Sequence, residues 1–329
     1  MHIKYILYES YYRPLRFLAN LIDTPALIFI YHRITNLNFD PQQLAIKPEN
    51  FYDQINHLSK CYNLIEIEEF FDLIIKGKGF PKKTVILTCD DGYADNFLEA
   101  IPILESFNKQ AVFYISTGLL NTDAEIWWDQ LEKIFFLNNN LRERLEIEIK
   151  GIIYNYAMKN EGEIKSVYNL IHRHMKYSSL KEQKKIMNNL FDWSNVNREG
   201  RESHRFLSFY ELKNMAKSKS AIIGAHTDTH SPLVTLAYAE QYKDIKKSKD
   251  ILENIIGKKV EHFSFPFGLK KDYNQNSIRV CKQLDFKMVC ANYYSQVHKW
   301  TYRYELPRIL IRNWDLKTFK KNLSAFFKY

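Results

Sequence analysis

Residues 84–96, TVILTCDDGYADN, run from an apolar stretch straight into two adjacent acids and a glycine. Residues 84–89 read as a buried strand. Each carboxylate left unpaired at its end would cost several kcal/mol to desolvate, so Asp90 and Asp91 must hold something. The same grammar recurs along the chain. Strand-like runs stand at 26–32, 84–89, 111–116, 221–226, 260–266, 287–292 and 306–311, and helical periodicity fits 49–60, 66–76, 95–108, 238–256, 273–284 and 315–327. Strand-then-helix alternation predicts a largely parallel sheet with right-handed crossovers. Seven strands buried on both sides favour an α/β barrel over an open sheet. Residues 122–206 break the rhythm, being helical, charged and nearly strand-free, and read as an insertion capping one end of a single unit spanning 1–329.

Composition narrows the class. Of 329 residues, 46% are hydrophobic and 26% charged, as in an ordinary soluble globular protein. Four cysteines without C-x-x-C spacing fit a reduced compartment. Lys4, Glu9, Arg13 and Arg16 interrupt the apolar N-terminus, so no signal-peptide core is read there and a cytoplasmic location is expected. Residues 3–22 suit a helix packed on the domain; its other reading is one lying on a membrane surface. The formal charge of +9 comes without a nucleic-acid-binding signature, so nucleic acid is not expected as a partner. An anionic membrane, touched peripherally, or a phosphate-bearing, lipid-linked substrate suits that charge. Nothing in the sequence fixes the oligomeric state.

Four features end strands. Asp90-Asp91-Gly92 supplies two carboxylates. His226 and His230, in HTDTH, place two imidazoles four residues apart, on one side if a helical turn begins there. One carboxylate and two imidazoles make a three-ligand divalent-metal site with an open position, and the spare carboxylate could take a proton from water. FSFPFG (263–268) puts Pro266, an aromatic and Gly268 at a strand end, presenting a backbone N–H able to stabilise an oxyanion. His32, in YHRI, is the candidate acid for protonating a leaving amine.

This set resembles the polysaccharide deacetylase family with the NodB-homology fold, carbohydrate esterase family 4. Its T-F-D-D-G motif is similar to Thr88–Gly92, its H-[ST]-x-x-H motif to His226–His230, and its F-x-[YF]-P-[YF]-G motif to Phe263–Gly268. YHRI, WWD (127–129), FLSFYEL and LPRI (306–309) extend the likeness toward surface-polysaccharide members. The resemblance implies a deformed (β/α) barrel. It also implies Asp90 as general base, Asp91, His226 and His230 as metal ligands, and the Phe267 N–H at the oxyanion position. Departures are Ser264 where many members carry an arginine, Cys89 for the usual Phe, and no evident L-x-L-x-H. Arg308 is therefore expected to replace the missing cation with a bidentate pair to Asp90. Trp127, Trp128, Pro266 and Gly268 are expected to contact sugar.

The expected activity is metal-dependent N-deacetylation of an acetamido sugar, in a surface polysaccharide or a lipid- or nucleotide-linked precursor. Zn²⁺ is the expected ion, with Co²⁺, Ni²⁺ or Mn²⁺ as alternatives. The rival readings are O-deacetylation on the same scaffold and a catalytically silent sugar-binding barrel.

Overall fold

A computed structural model describes residues 16–328. Most of the expected 3–22 helix lies outside them; residues 16–22 are helical and leave Phe17, Leu18, Leu21 and Ile22 exposed. Among the described residues no helix is long and apolar enough to cross a membrane.

The seven expected strands form one parallel sheet: β1 (Ala26–Tyr31), β5 (Thr84–Asp91), β6 (Ala111–Ile115), β9 (Ala221–Ala225), β10 (His262–Ser264), β11 (Met288–Cys290) and β12 (Ile309–Leu310), each following its number in chain order. Their spatial order is β11-β10-β9-β6-β5-β1-β12, with a further short strand β4 (Asn63–Leu64) against β5, while the short strands β2 (Arg33–Ile34) and β3 (Ala45–Ile46) pair in parallel as a separate sheet. The sheet curls into a half-barrel surrounded by helices. A parallel bridge from Cys290 to Leu306 brings the β11 edge toward the segment leading into β12.

The strand period of two divides the buried side chains into two clusters. Leu27, Phe29, Tyr31, Val85, Leu87, Cys89, Phe113 and Ile223 pack with residues of the helices Pro48–Cys61, Tyr238–Ile256 and Leu316–Lys328. Ala26, Ile28, Ile86, Val112, Tyr114, Met288 and Cys290 pack on the other face, over the helix Ile67–Ile75. Thr88 and Asp90 continue the second set, so β5 becomes polar on its inner face just as it ends. All four cysteines are free thiols.

Two expectations need correction. The insertion is not nearly strand-free: β7 (Arg144–Ile149) and β8 (Ile152–Ala157) pair antiparallel. Leu145, Ile147 and Ile149 alternate inward, and Lys150-Gly151 turns the hairpin with φ of 54° and 80°. With helices Trp127–Phe136, Glu161–Lys176 and Leu180–Ser194, the hairpin closes a hydrophobic cluster separate from the sheet's. The 95–108 helix begins as a π-turn, Asn96–Ala100, and becomes α-helical only over Ile101–Ser106. Asp95 there turns its carboxylate back to the Ile34 N–H (3.0 Å) and to Arg33.

Candidate active site

Asp90 and Asp91 end β5, and both are buried. The chain then leaves the sheet sharply: φ is 79° at Asp91 and 93° at Gly92. At Gly92 a Cβ would lie 2.8 Å from Ile115 Cγ2. Gly92→Ala should therefore destabilise the fold by about 1–3 kcal/mol, read as a lower denaturation midpoint; an unchanged midpoint would show the turn is relaxed.

The histidine pair does not begin a helical turn. After β9 the chain forms an irregular loop, with Thr227 and His230 at φ of 64° and 52°. The loop is pinned from outside. Thr117 Oγ1 donates to Asp228 Oδ1 (2.8 Å), Lys247 pairs with its other oxygen (2.6 Å), and the Thr229 N–H donates to Asp244 Oδ1 (3.1 Å). The His230 N–H donates to Thr227 Oγ1 (3.0 Å). The imidazoles meet all the same, with ring centres 4.9 Å apart.

His226 Nδ1 donates to the Ser264 carbonyl (2.8 Å), which leaves Nε2 as the free nitrogen. That Nε2 lies 3.6 Å from Asp91 Oδ1 and 3.8 Å from Asp90 Oδ2. His230 Nε2 lies 3.1 Å from Asp91 Oδ1. One donor atom from each of Asp91, His226 and His230 thus falls within 4.8 Å of the others. Donors ~2.0–2.2 Å from one tetrahedral ion are ~3.3–3.6 Å apart, so this donor set fits a divalent metal. Burial, despite the nearby Asp90, brings His226 down to about 4 and keeps its imidazole neutral, as a ligand requires.

Asp90 lies beside this cluster and is held by Arg308. Arg308 Nη1 and Nη2 donate to the two Asp90 oxygens at 2.7 Å each, the expected bidentate pair. Arg308 is itself enclosed, with 1% of its surface exposed. Nη1 also donates to Thr88 Oγ1 (3.0 Å), Nη2 to Ser264 Oγ (2.6 Å) and Nε to the Ala291 carbonyl (2.9 Å). Burial alone would raise the Asp90 carboxyl. Arg308, with smaller help from His226, more than offsets it and holds the group below its usual value. Ser264 is the partner that sequence reading missed: expected only as an absent cation, it receives Arg308 and donates to Asp90 Oδ2 (3.3 Å).

His32 follows β1 on the same rim. Its carbonyl accepts from Asn96 Nδ2 (2.8 Å), and its Nδ1 is buried without a partner. Burial lowers its pKa, against the opposing pull of Asp91 and Asp90. Phe267 stands at φ 60°, and its N–H donates to nothing among the described residues. Gly268, at φ 67°, passes so close to Asn292 that a Cβ would sit 2.7 Å from its nitrogen, and Pro266 is buried in the same turn. Trp128 is buried, its ring 4.8 Å from His230 and 6.1 Å from Phe267, and its Nε1 donates to Tyr93 Oη (3.0 Å). Half-buried Trp127 packs against Trp128 and His172.

The family model described as polysaccharide deacetylase matches residues 171–289, which hold both histidines and the 263–268 turn; Asp90 and Asp91 fall outside the matched span, beyond most of the insertion. Among solved structures, the chain resembles the Streptococcus pyogenes deacetylase PplD in complex with acetate (17% identity, TM-score 0.60, covering 92% of this chain and 99% of that one). It also resembles IcaB from Ammonifex degensii (15%, 0.59, 93% and 98%). A third likeness is to a de-N-acetylase of Aggregatibacter actinomycetemcomitans (17%, 0.54, 91% and 99%). At these identities the likeness is one of fold. No curated protein matches the sequence.

Proposed function

We infer that this chain, which belongs to the polysaccharide deacetylase family of carbohydrate esterase 4 type, is a divalent-metal-dependent N-deacetylase of an acetamido sugar. One observation carries the reading: Asp91, His226 and His230 converge on a point beside Asp90, a second carboxylate that Arg308 keeps ionised. The descriptions of the fold relatives, one in complex with acetate and one a de-N-acetylase, support the same chemistry.

Asp91, His226 and His230 would hold the ion, taken to be Zn²⁺ because two neutral imidazoles and one carboxylate suit it. Such an ion supplies Lewis acidity, which lowers the pKa of water and polarises the acetamide carbonyl. Asp90 takes the proton from the attacking water. It can do so because its carboxylate is already charged and is fixed by two parallel bonds from Arg308, so no side-chain ordering is left for the reaction. As the water oxygen adds to the carbonyl carbon, negative charge grows on the carbonyl oxygen, and the Phe267 N–H donates to it. The proton that Asp90 took from water returns through His32 to the amine nitrogen as the C–N bond breaks, leaving a free amine and acetic acid, which ionises to acetate on release. Trp128 and Phe267 wall the site and exclude water from one side of His230. Half-buried Trp127 is assigned to the sugar-facing rim, and Pro266 and Gly268, buried in the 263–268 turn, to the backbone that holds the Phe267 N–H in place.

Chelation should abolish acetate release, and adding a divalent ion should restore it. His230→Ala should bind one ion fewer than the unaltered protein and lose activity by at least about 10²-fold. Full activity in His230→Ala, measured as acetate released, would remove the assignment. The substrate class is tested by a panel of N-acetylated and O-acetylated sugars, free and lipid-linked.

A further inference from the structure

A second set of ligating side chains is buried where the insertion meets the sheet. Asp129 and Glu132 stand three residues apart on the helix Trp127–Phe136, so their carboxylates share a face. His204 comes from the short turn Glu202–His204 on the strand-ward side of the insertion. All three are at least nine-tenths buried, with relative exposures of 6%, 4% and 3%. One donor atom from each lies within 4.8 Å of the other two.

Each side chain has one polar atom tied and one free. Tyr93 Oη donates to Asp129 Oδ2 (2.7 Å), Arg201 Nη1 donates to Glu132 Oε1 (3.0 Å), and His204 Nδ1 is bonded to Ser203 Oγ (2.9 Å). Across from these, His204 Nε2 is buried with no partner and lies 3.8 Å from Glu132 Oε2. Neither Glu132 Oε2 nor Asp129 Oδ1 accepts a hydrogen bond among the described residues. Hydrogen bonds that fix the far atom of each side chain while its near atom stays bare are the usual surroundings of metal ligands.

Charge points the same way. Four buried carboxylates, Asp95, Glu125, Asp129 and Glu132, face two guanidiniums. Arg33 is taken by Asp95 (2.9 Å) and lies over the Tyr93 ring, and Arg201 forks onto both oxygens of Glu125 at 2.8 Å. Glu132 has only a share of Arg201, and Asp129 has no guanidinium on its carboxylate among the described residues, a deficit that one divalent cation fills.

We propose that Asp129, Glu132 and His204 bind one divalent cation that pins the first helix of the insertion to the segment returning to the sheet. Two carboxylates and one imidazole suit Mn²⁺, Fe²⁺, Co²⁺ or Zn²⁺ better than an all-oxygen ion such as Ca²⁺. Arg33 Nη1 is buried without a hydrogen-bond partner, a donor available to a water or anion in the same interior. The site shares a wall with the catalytic cluster, because Asp129 bonds Tyr93, Tyr93 bonds Trp128, and Trp128 packs on His230.

The test is an ion count on the full chain, loaded with Co²⁺ and freed of loosely bound metal, by elemental analysis. The unaltered protein should carry two ions. His226→Ala/His230→Ala should keep one, and adding Glu132→Gln or His204→Gln to that double variant should remove it. No ion in His226→Ala/His230→Ala, or an ion that survives both further substitutions, overturns the proposal. If the triple variants do not fold, the count in the double variant decides between one ion and none. Acetate release plays no part in the count, so this inference and the deacetylase reading can fail separately.

Discussion

Asp90→Asn should lower acetate release by about 10²–10⁴-fold, the range contributed by a general base, and should leave the number of bound ions unchanged. Asparagine keeps the shape of the side chain and can still accept from Arg308, but it cannot take a proton from water. Some stability will be lost as well, because Arg308 is enclosed and would face an amide instead of a carboxylate. Activity and metal content are therefore to be compared at a temperature where both proteins are folded. A fall in metal content in Asp90→Asn would contradict the division of labour, since it would make both adjacent acids ligands.

Arg308→Met should have the largest effect on stability of any single change at the site. It removes five hydrogen bonds, two to Asp90 and one each to Thr88, Ser264 and the Ala291 carbonyl. It also leaves the Asp90 charge buried without its cation, and breaking such a pair costs about 3–5 kcal/mol. The pH dependence follows from the direction of the Asp90 shift. Its folded pKa is depressed, so its stabilising contribution is present above the unfolded carboxyl pKa and is lost as pH falls through the folded one. Without Arg308 only the weaker pull of His226 and His32 opposes burial, so the Asp90 pKa rises and the acidic limb of the pH–rate profile should move to higher pH. Asp90→Asn/Arg308→Met should be less destabilised than the sum of the two single variants, because the charge stranded by each is absent. Additive losses, or an acidic limb that stays in place, would mean that Arg308 does not govern Asp90.

The barrel was legible in the sequence because every strand of the main sheet but β4 is long or apolar enough to show. Its helices showed by period, as at 238–256, where the expected and observed bounds coincide. Asn63–Leu64 was missed because two residues carry no periodicity. The β7–β8 hairpin was missed for another reason: RLEIEI alternates acids with Leu and Ile, and its charge read as helix surface. At the site, the residue types were legible and the geometry was not. HTDTH announced two imidazoles, but what turns them together is a pair of left-handed residues held by Thr117, Lys247 and Asp244, partners far away in sequence. Arg308 could be inferred because Ser264 left a buried acid without a cation. The Asp129–Glu132–His204 group could not, since its members are ordinary helix-surface and turn residues until the insertion folds over them.

The reading as a whole rests on what leaves the substrate. Metal-loaded protein should be incubated with N-acetylated sugars, free and lipid-linked, and acetate and primary amine measured in the same samples over time. Equal amounts of the two, absent from the Asp90→Asn protein, are the expected result. Acetate without amine would contradict N-deacetylation, and so would no acetate from any N-acetylated sugar with the ion bound at Asp91, His226 and His230.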